Sequence, residues 1–328
     1  MIYLQISLGI TLVYKVMNFA NFAQAEYVTF GAYMGFIFGF IGSHIGLYSN
    51  EGFLGNFNWI FVLLVLCTSA FVMTALLGLL FDKLVFKPLR NQDASPTTLM
   101  IASFALGLFF RMILQQIFTA NPVYLTDYFI QIQLDSVLLR LVIITSILFT
   151  TWFFQILLYK TTYGKIMRAV SDNEDLAKVT GIKAHRIHNL IWIISAGFAG
   201  IAGVLYTSYP VGSPWTKPDS GFLLLLSAFA VAVLGGIGSF EGVIIASLII
   251  GFTENMGVVI LNQLKSLEIS FDIPVIGSSN GIFPVLTNFV ADISFEAGYK
   301  IALSYAILII VLKIRPFGLL GEKTSGDR

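Results

Sequence analysis

Charged residues are scarce in this chain: they make up 11% of its 328 residues, against roughly 25% in soluble domains, while 57% are hydrophobic. That shortage excludes a solvated globule. Cysteine occurs once, as Cys67 inside an apolar run, which excludes an intrachain disulfide. Of the few histidines, His185 and His188 stand close together with no further ligand near them, so they read as interfacial residues and no metal site is expected. A net charge of +1 leaves no surplus positive field for phosphates, and no nucleic-acid partner is expected. No G-x-x-x-x-G-K-S/T loop occurs, so this polypeptide lacks the parts to bind and hydrolyse ATP. There is no Ser/His/Asp or Cys/His set and no carboxylate pair on one face, so the chain reads as a protein other than an enzyme. The opening MIYLQISLGI has neither a basic n-region nor a small-residue cleavage site, and no removable signal peptide is expected.

What the chain has in abundance is long apolar runs. Crossing a hydrocarbon core takes about 20 residues. Eight runs qualify or nearly so: Tyr27–Tyr48, Asn58–Phe81, Thr97–Thr119, Val137–Tyr159, Ile187–Tyr209, Gly221–Leu234, Val243–Leu261 and Tyr299–Lys313. Ile2–Met17 is apolar but brief, and carries Lys15. The expected fold is all-α, a polytopic membrane helix bundle of about eight full spans plus a short N-terminal apolar segment. One membrane domain, residues 1–328, is expected, in contact with membrane lipid. Basic residues then orient it. Lys83, Lys87 and Arg90 follow the second run; Lys160, Lys165, Arg168, Lys178, Lys183 and Arg186 follow the fourth; Lys313, Arg315, Lys323 and Arg328 form the tail. The alternate loops hold only Lys217 and Lys265, with Arg140 just inside a span. The positive-inside bias therefore places loop 160–186 and the C-terminus in the cytoplasm, and loop 262–298 outside. The N-terminus starts outside if Ile2–Met17 crosses and inside if it is re-entrant.

Polar residues inside this apolar frame are the candidates for chemistry. MNFANFAQAEYVTFGAY puts Asn18, Asn21, Gln24 and Glu26 where two apolar segments meet. Lipid cannot satisfy a backbone break, so the break must face protein or a water-filled path. A translocation pathway is one reading; an interfacial turn with Glu26 as a helix-start carboxylate is the other. Glu254 lies in IIASLIIGFTENMGVVIL, where a carboxylate costs about 2.5 kcal/mol or more and should face the bundle interior. Arg111, in LGLFFRMILQQIF, is its natural counter-charge, although the two could equally find separate partners. Gly235, Gly236 and Gly238 in VLGGIGSFEG suit a tight membrane-edge hairpin. Gly197, Gly200 and Gly203, three apart, give a thin helix face suited to close packing.

The loop KTTYGKIMRAVSDNEDLAKVTGIKAHR carries helix signals of its own. Ser171 reads as an N-cap with Glu174 three residues later, and Gly181 reads as the stop, so Asp172–Thr180 is expected to be helical outside the membrane. A rigid knob between spans suits a partner; a helix that merely tidies the loop is the plainer alternative.

Together these stretches resemble the permease subunits of branched-chain amino acid ABC transporters, of the LivH/LivM type. NFAQAEYVTFGAY is similar to the family's N-F-A-H-G-E segment, with Gln24 and Ala25 in place of its His and Gly. TTYGKIMRAVSDNEDLAKVTGI matches its cytoplasmic loop at Gly164, Arg168, Ala169, Ala177, Gly181 and Ile182. VLGGIGSFEG followed by Glu254 resembles its hairpin and downstream acid, and IVLKIRPFGLLGEK its R-P-x-G-L ending through Arg315, Pro316, Gly318 and Leu319. The chain begins late relative to the family pattern, and Asn262–Gly298 is longer than the pattern leads one to expect. The resemblance implies an importer subunit without a cofactor of its own, ATP being bound by two ABC ATPase subunits. It also implies a second permease subunit, a divergent relative, and an external solute-binding protein. The coupling helix would use Ser171, Glu174, Leu176, Ala177, Lys178, Val179 and Gly181, with Leu176 and Val179 as apolar contacts. Cargo could be branched-chain amino acids, urea or short amides. An ion-driven secondary transporter is the competing class, and a purely structural membrane protein a third.

Overall fold

The structure, a computed structural model, describes residues 2–44, 58–119, 121–124, 136–208, 215–266, 299–314 and 318–321. Its helices are α1 (Ile2–Met17), α2 (Gln24–His44), α3 (Asn58–Phe81), α4 (Pro96–Phe118), α5 (Ser136–Gln155), α6 (Thr162–Asp172), α7 (Glu174–Val179), α8 (Ala184–Thr207), α9 (Ser220–Gly235), α10 (Phe240–Ser266) and α11 (Tyr299–Ile314). α3 runs on through a π turn, Asp82–Phe86, into Lys87–Asn91, and α5 through another, Ile156–Lys160. Local chemistry sets the boundaries. Ser95 caps α4 by accepting from Thr98 N (3.2 Å), with Pro96 at the first position, where a missing N–H costs nothing. Thr161 caps α6 in the same way, through Gly164 N (3.2 Å).

This is an all-α polytopic membrane bundle, as the composition leads one to expect. The expected count of eight spans is not reached by length and hydropathy alone. Among the described residues five helices meet that measure: α3 with its extension, α4, α5 with its π turn, α8 and α10. α1 and α9 are shorter apolar helices. α10 extends to Ser266, past the expected end at Leu261, so the first residues of the expected external loop are helical; residues 267–298 lie outside the described set.

α8 is the axis of the bundle and packs against α3, α2 and α1, while α9 lies between α10 and α1. The glycine stripe on α8 permits the first two of these contacts. A methyl on Gly200 would meet Thr74 and the Ala70 carbonyl of α3, and one on Gly203 would meet the Val28 carbonyl of α2. Backbones this close gain van der Waals contact that larger side chains would forbid. The opposite faces carry exposed Leu64, Leu76, Phe109 and Phe252, which suit lipid.

One end of the bundle gathers the basic loops. Lys87 and Arg90 share a cleft with Lys178 and Lys183, and the Lys15 ammonium lies over Phe240 (5.3 Å) at the α9–α10 hairpin. That hairpin turns through Gly236 and Gly238, both at positive φ, and Gly235 fits directly against Gly242. The chain after α11 returns to it: Leu319 N and Leu320 N donate to the Leu234 and Gly235 carbonyls (2.8 and 3.1 Å), satisfying two open carbonyls at the end of α9. At the other end a short ribbon joins two connecting loops, Val123 opposite Thr216 and Tyr124 opposite Trp215. Among the described residues, the basic segments thus lie at one end and the ribbon at the other.

Replacing Gly203 with Ala should lower unfolding stability in detergent by about 1–3 kcal/mol, because α2 cannot retreat from α8 without losing its other contacts. Leu64→Ala, on an outward face, should change it by less than about 0.5 kcal/mol. Thermal melts of the purified variants compare the two.

Candidate functional site

α2 does not start at the membrane edge. Gln24 Nε2 donates to the Ser195 carbonyl (3.1 Å), and Ser195 Oγ lies 3.0 Å from the Gly9 carbonyl and 3.1 Å from Gln24 Oε1. Ser195 falls halfway along α8 and Gly9 halfway along α1, so the first residue of α2 sits at mid-depth. After α1 reaches the basic end at Met17, residues 18–23 climb back into the bundle without regular structure. Asn18 begins the climb at φ 56°, a conformation that Asn tolerates better than most residues.

A climb through an apolar medium must find partners for its backbone. Asn21 Oδ1 accepts from Ala23 N (3.1 Å), and Ser103 of α4 accepts from Phe22 N (3.0 Å). α4 touches the break along one narrow strip. Ser103 comes first, then Gly107, where a methyl would lie 3.5 Å from Ala23 Cα, then Arg111. These three recur every four residues, one face of the helix.

Arg111 does not pair with Glu254; of the two readings the sequence left open, separate partners is the one observed. Its Nε and Nη2 both bond Glu26 Oε1, at 3.0 and 2.6 Å, and its guanidinium stacks over Phe222 of α9 (4.4 Å). Glu254 instead accepts from Ser227 Oγ (2.9 Å), with the Tyr3 hydroxyl beside it. The reason is depth: Glu26 starts a helix at mid-membrane, one strip away from α4, whereas Glu254 faces α9. Charge alone could not choose between two buried acids. Glu26 and Glu254 are both buried, at 1% and 4% exposure.

Below the break lies a plug of packed rings. Phe86 stacks on Trp192 (4.8 Å) and meets Phe19 (5.5 Å), while Tyr27 meets both Trp192 and Phe81. Below the plug a cleft of about 830 Å³ opens at the basic end, lined by Asn18, Asp82, Arg90, Glu174, Lys178 and His188 among others. One face of α8 records all three levels: His188 in the cleft, Trp192 in the plug, Ser195 at the break. Asp82 and Arg90 pair across the cleft wall at 2.6 Å.

The knob beside the cleft differs from its expected boundaries. Ser171 is not its N-cap. It belongs to α6, an amphipathic helix burying Gly164, Met167 and Val170, and its hydroxyl donates to the Lys15 carbonyl at the end of α1. The expected helix Asp172–Thr180 is replaced by α7, Glu174–Val179, whose cap is Asn173, accepting from Leu176 N (2.9 Å). Asn173 is as good a cap as Ser171, and the acidic pair after it marks a first turn. Gly181, at φ 86°, ends the helix in a Schellman arrangement: its N–H bonds the Lys178 carbonyl (3.0 Å), and Ile182 N the Ala177 carbonyl (3.1 Å). Ala177 faces inward, whereas Leu176 and Val179 are 63% and 84% exposed. Lys178 bonds Glu174 (3.0 Å) and Asp175 (3.2 Å), which hold its ammonium above the usual lysine pKa. Glu174 also approaches His188 Nε2 at 3.8 Å.

The Glu26–Arg111 pair predicts an asymmetric response. Arg111→Gln strands a buried carboxylate and should cost about 3–5 kcal/mol, whereas Glu26→Gln leaves a guanidinium with some access to solvent and should cost less. The double variant should recover part of the Arg111→Gln loss. A double-mutant cycle by thermal denaturation in nanodiscs checks this.

Comparison with known proteins bears on what such a bundle does. Residues 1–312 match the family model described as the permease component of the branched-chain amino acid transport system. A probable branched-chain amino acid transport permease protein LivH from Methanocaldococcus jannaschii is 28% identical over 337 residues, covering 96% of this chain and 87% of the relative. The high-affinity branched-chain amino acid transport system permease protein BraD of Pseudomonas aeruginosa is 25% identical, covering 98% of this chain and 92% of its own length. LivH of Escherichia coli is 27% identical, with 98% and 91% covered. No solved structure matches significantly. The chain therefore belongs to the family of branched-chain amino acid transport permease components, membrane transport proteins rather than enzymes.

Proposed function

We propose that this chain forms the translocation path of an ATP-driven importer for branched-chain amino acids and couples to separate ATPase subunits. The observation that carries the coupling is α7: a rigidly capped helix outside the spans that buries Ala177 and offers Leu176 and Val179 to a partner. Two ABC ATPase subunits would seat these side chains in a groove, bind the ATP, and move the knob as they close. The relatives named above are permeases of branched-chain amino acid systems, and this supports the cargo. A second, divergent permease subunit would complete the path, and an external solute-binding protein would deliver to the end bearing the ribbon. The basic end and the C-terminus would face the cytoplasm, by the positive-inside bias.

The mechanical route is short. α7 follows α6 directly, α6 is tied through Ser171 to the Lys15 carbonyl, and Lys15 lies two residues before the chain leaves α1 for the break. A second contact brings Glu174 within 3.8 Å of His188 on α8, the helix that carries Trp192 in the plug. Displacing the knob would thus load both walls of the plug and open the break to the cleft, a rigid-body form of alternating access. In this conformation the rings close that route.

Leu176→Asp or Val179→Asp should leave the melting temperature of the membrane domain unchanged, since neither side chain is buried. Each should weaken association with the ATPase roughly 30-fold and abolish stimulated ATP hydrolysis. Co-purification and ATPase assays of the assembled complex measure both effects; full uptake by Leu176→Asp would remove the docking role.

A further inference from the structure

We propose that Glu26 and Arg111 form the mid-membrane recognition site for the zwitterionic head group of the cargo, Glu26 taking the α-ammonium and Arg111 the α-carboxylate. This rests on the importer reading above and adds the chemistry of recognition. Four observations converge. The pair is incomplete: Glu26 Oε1 takes both of Arg111's bonds, while Oε2 is buried and has no hydrogen-bond partner among the described residues. An unmatched buried carboxylate oxygen is costly, and an ammonium with three donors is the group that satisfies it. The guanidinium, in turn, presents a planar fork matched to a second carboxylate.

Position is the second observation. Glu26 lies in the first turn of a helix that begins at mid-depth, directly above the ring plug, where a cargo must pause before the inner route opens. The loose packing of α4 is the third. α4 is the least buried of the five long spans, 22% against 78% for α8, and its polar strip to the break can part without unpacking the core. In the closed conformation the two side chains stand in for the cargo, each neutralising the other. When α4 moves away, a zwitterion can take both places without leaving a charge unpaired, so cargo and opening are thermodynamically linked. The surroundings are the fourth. Phe22, in the break, and Phe30, one turn beyond Glu26 on α2, lie to either side of it along the chain, Phe22 stacked on Phe229 (4.6 Å) and Phe30 edge-on to Phe110 (5.6 Å), while Phe222 lies under the guanidinium. Rings of this kind suit an aliphatic side chain and keep water from weakening the charge contacts.

The test uses the full chain in phospholipid nanodiscs, with saturation-transfer NMR reading the binding of leucine, of isopentylamine, which lacks the carboxylate, and of isocaproate, which lacks the ammonium. Leucine should bind roughly 10–100-fold more tightly than either analogue. Glu26→Gln should bring leucine down to the level of isocaproate, and Arg111→Lys, which keeps the charge but not the fork, should weaken it as well. Melting curves accompany each variant. A Glu26→Gln protein that melts differently but binds leucine as the wild type does would make the pair structural and overturn the proposal. So would a wild-type protein that fails to bind leucine or holds isocaproate equally well. ATP-driven uptake by the assembled complex separates the two layers. If the wild type takes up leucine and Glu26→Gln matches it, this inference alone fails; if the wild type takes up no branched-chain amino acid, the importer reading fails.

Discussion

Hydrocarbon offers no partner to a peptide group, and the broken segment 18–23 exists only because the bundle supplies those partners itself. Asn21, Gln24, Ser103 and Ser195 satisfy one another and the backbone at mid-depth, and they come from four different elements. Each is a short polar side chain in an otherwise apolar setting, and each would be a liability if the break were absent. The glycines follow from the same demand. Gly9 makes room for Gln24, Gly107 lets α4 lie against the break, and Gly31, Gly200 and Gly203 let α2 stand close to α8. The ion pair Glu26–Arg111 then fixes α4 to the first turn of α2, although α4 otherwise faces largely outward.

On the importer reading proposed above, the break would serve as a gate, being held by a few exchangeable hydrogen bonds rather than by a continuous helix. Regular helix resists bending, whereas side-chain bonds of this kind are individually worth about 1 kcal/mol net and can be traded for others. The plug of Phe19, Phe86, Trp192, Tyr27 and Phe81 supplies the barrier that the break alone would lack. Its position separates a buried polar level at the break from a charged cleft by one apolar layer. The contacts of α6 and α7 with α1 and α8 meet that layer from the side carrying the exposed knob.

Much of this was legible in the sequence. Apolar length and basic loops yield the helices and the two ends of the bundle, because lipid leaves few alternatives. The polar cluster at residues 18–26 stands out for the same reason. Gly181 and Gly236 are readable as stops, since positive φ selects them. What remained hidden depends on three-dimensional register. Glu26, Glu254 and Arg111 give no hint of their pairing until the depth of α2 is known. Ser171 and Asn173 are equivalent caps by chemistry, and only the amphipathic face Gly164–Met167–Val170, which continues α6 through Ser171, decides between them. The ring plug draws on three stretches distant in sequence, 19–27, 81–86 and Trp192, so no local pattern announces it.

The account depends on the break facing a water-filled route during turnover. The direct measurement is thiol accessibility in a Cys67→Ser background, with a single cysteine placed at Asn21 and, as a lipid-facing control, at Leu64. A membrane-impermeant, water-borne methanethiosulfonate reagent is applied to the reconstituted complex with and without ATP. The account predicts that Asn21→Cys reacts only when ATP is being turned over and that Leu64→Cys does not react at all. An Asn21→Cys site as inert as Leu64→Cys throughout turnover would contradict it.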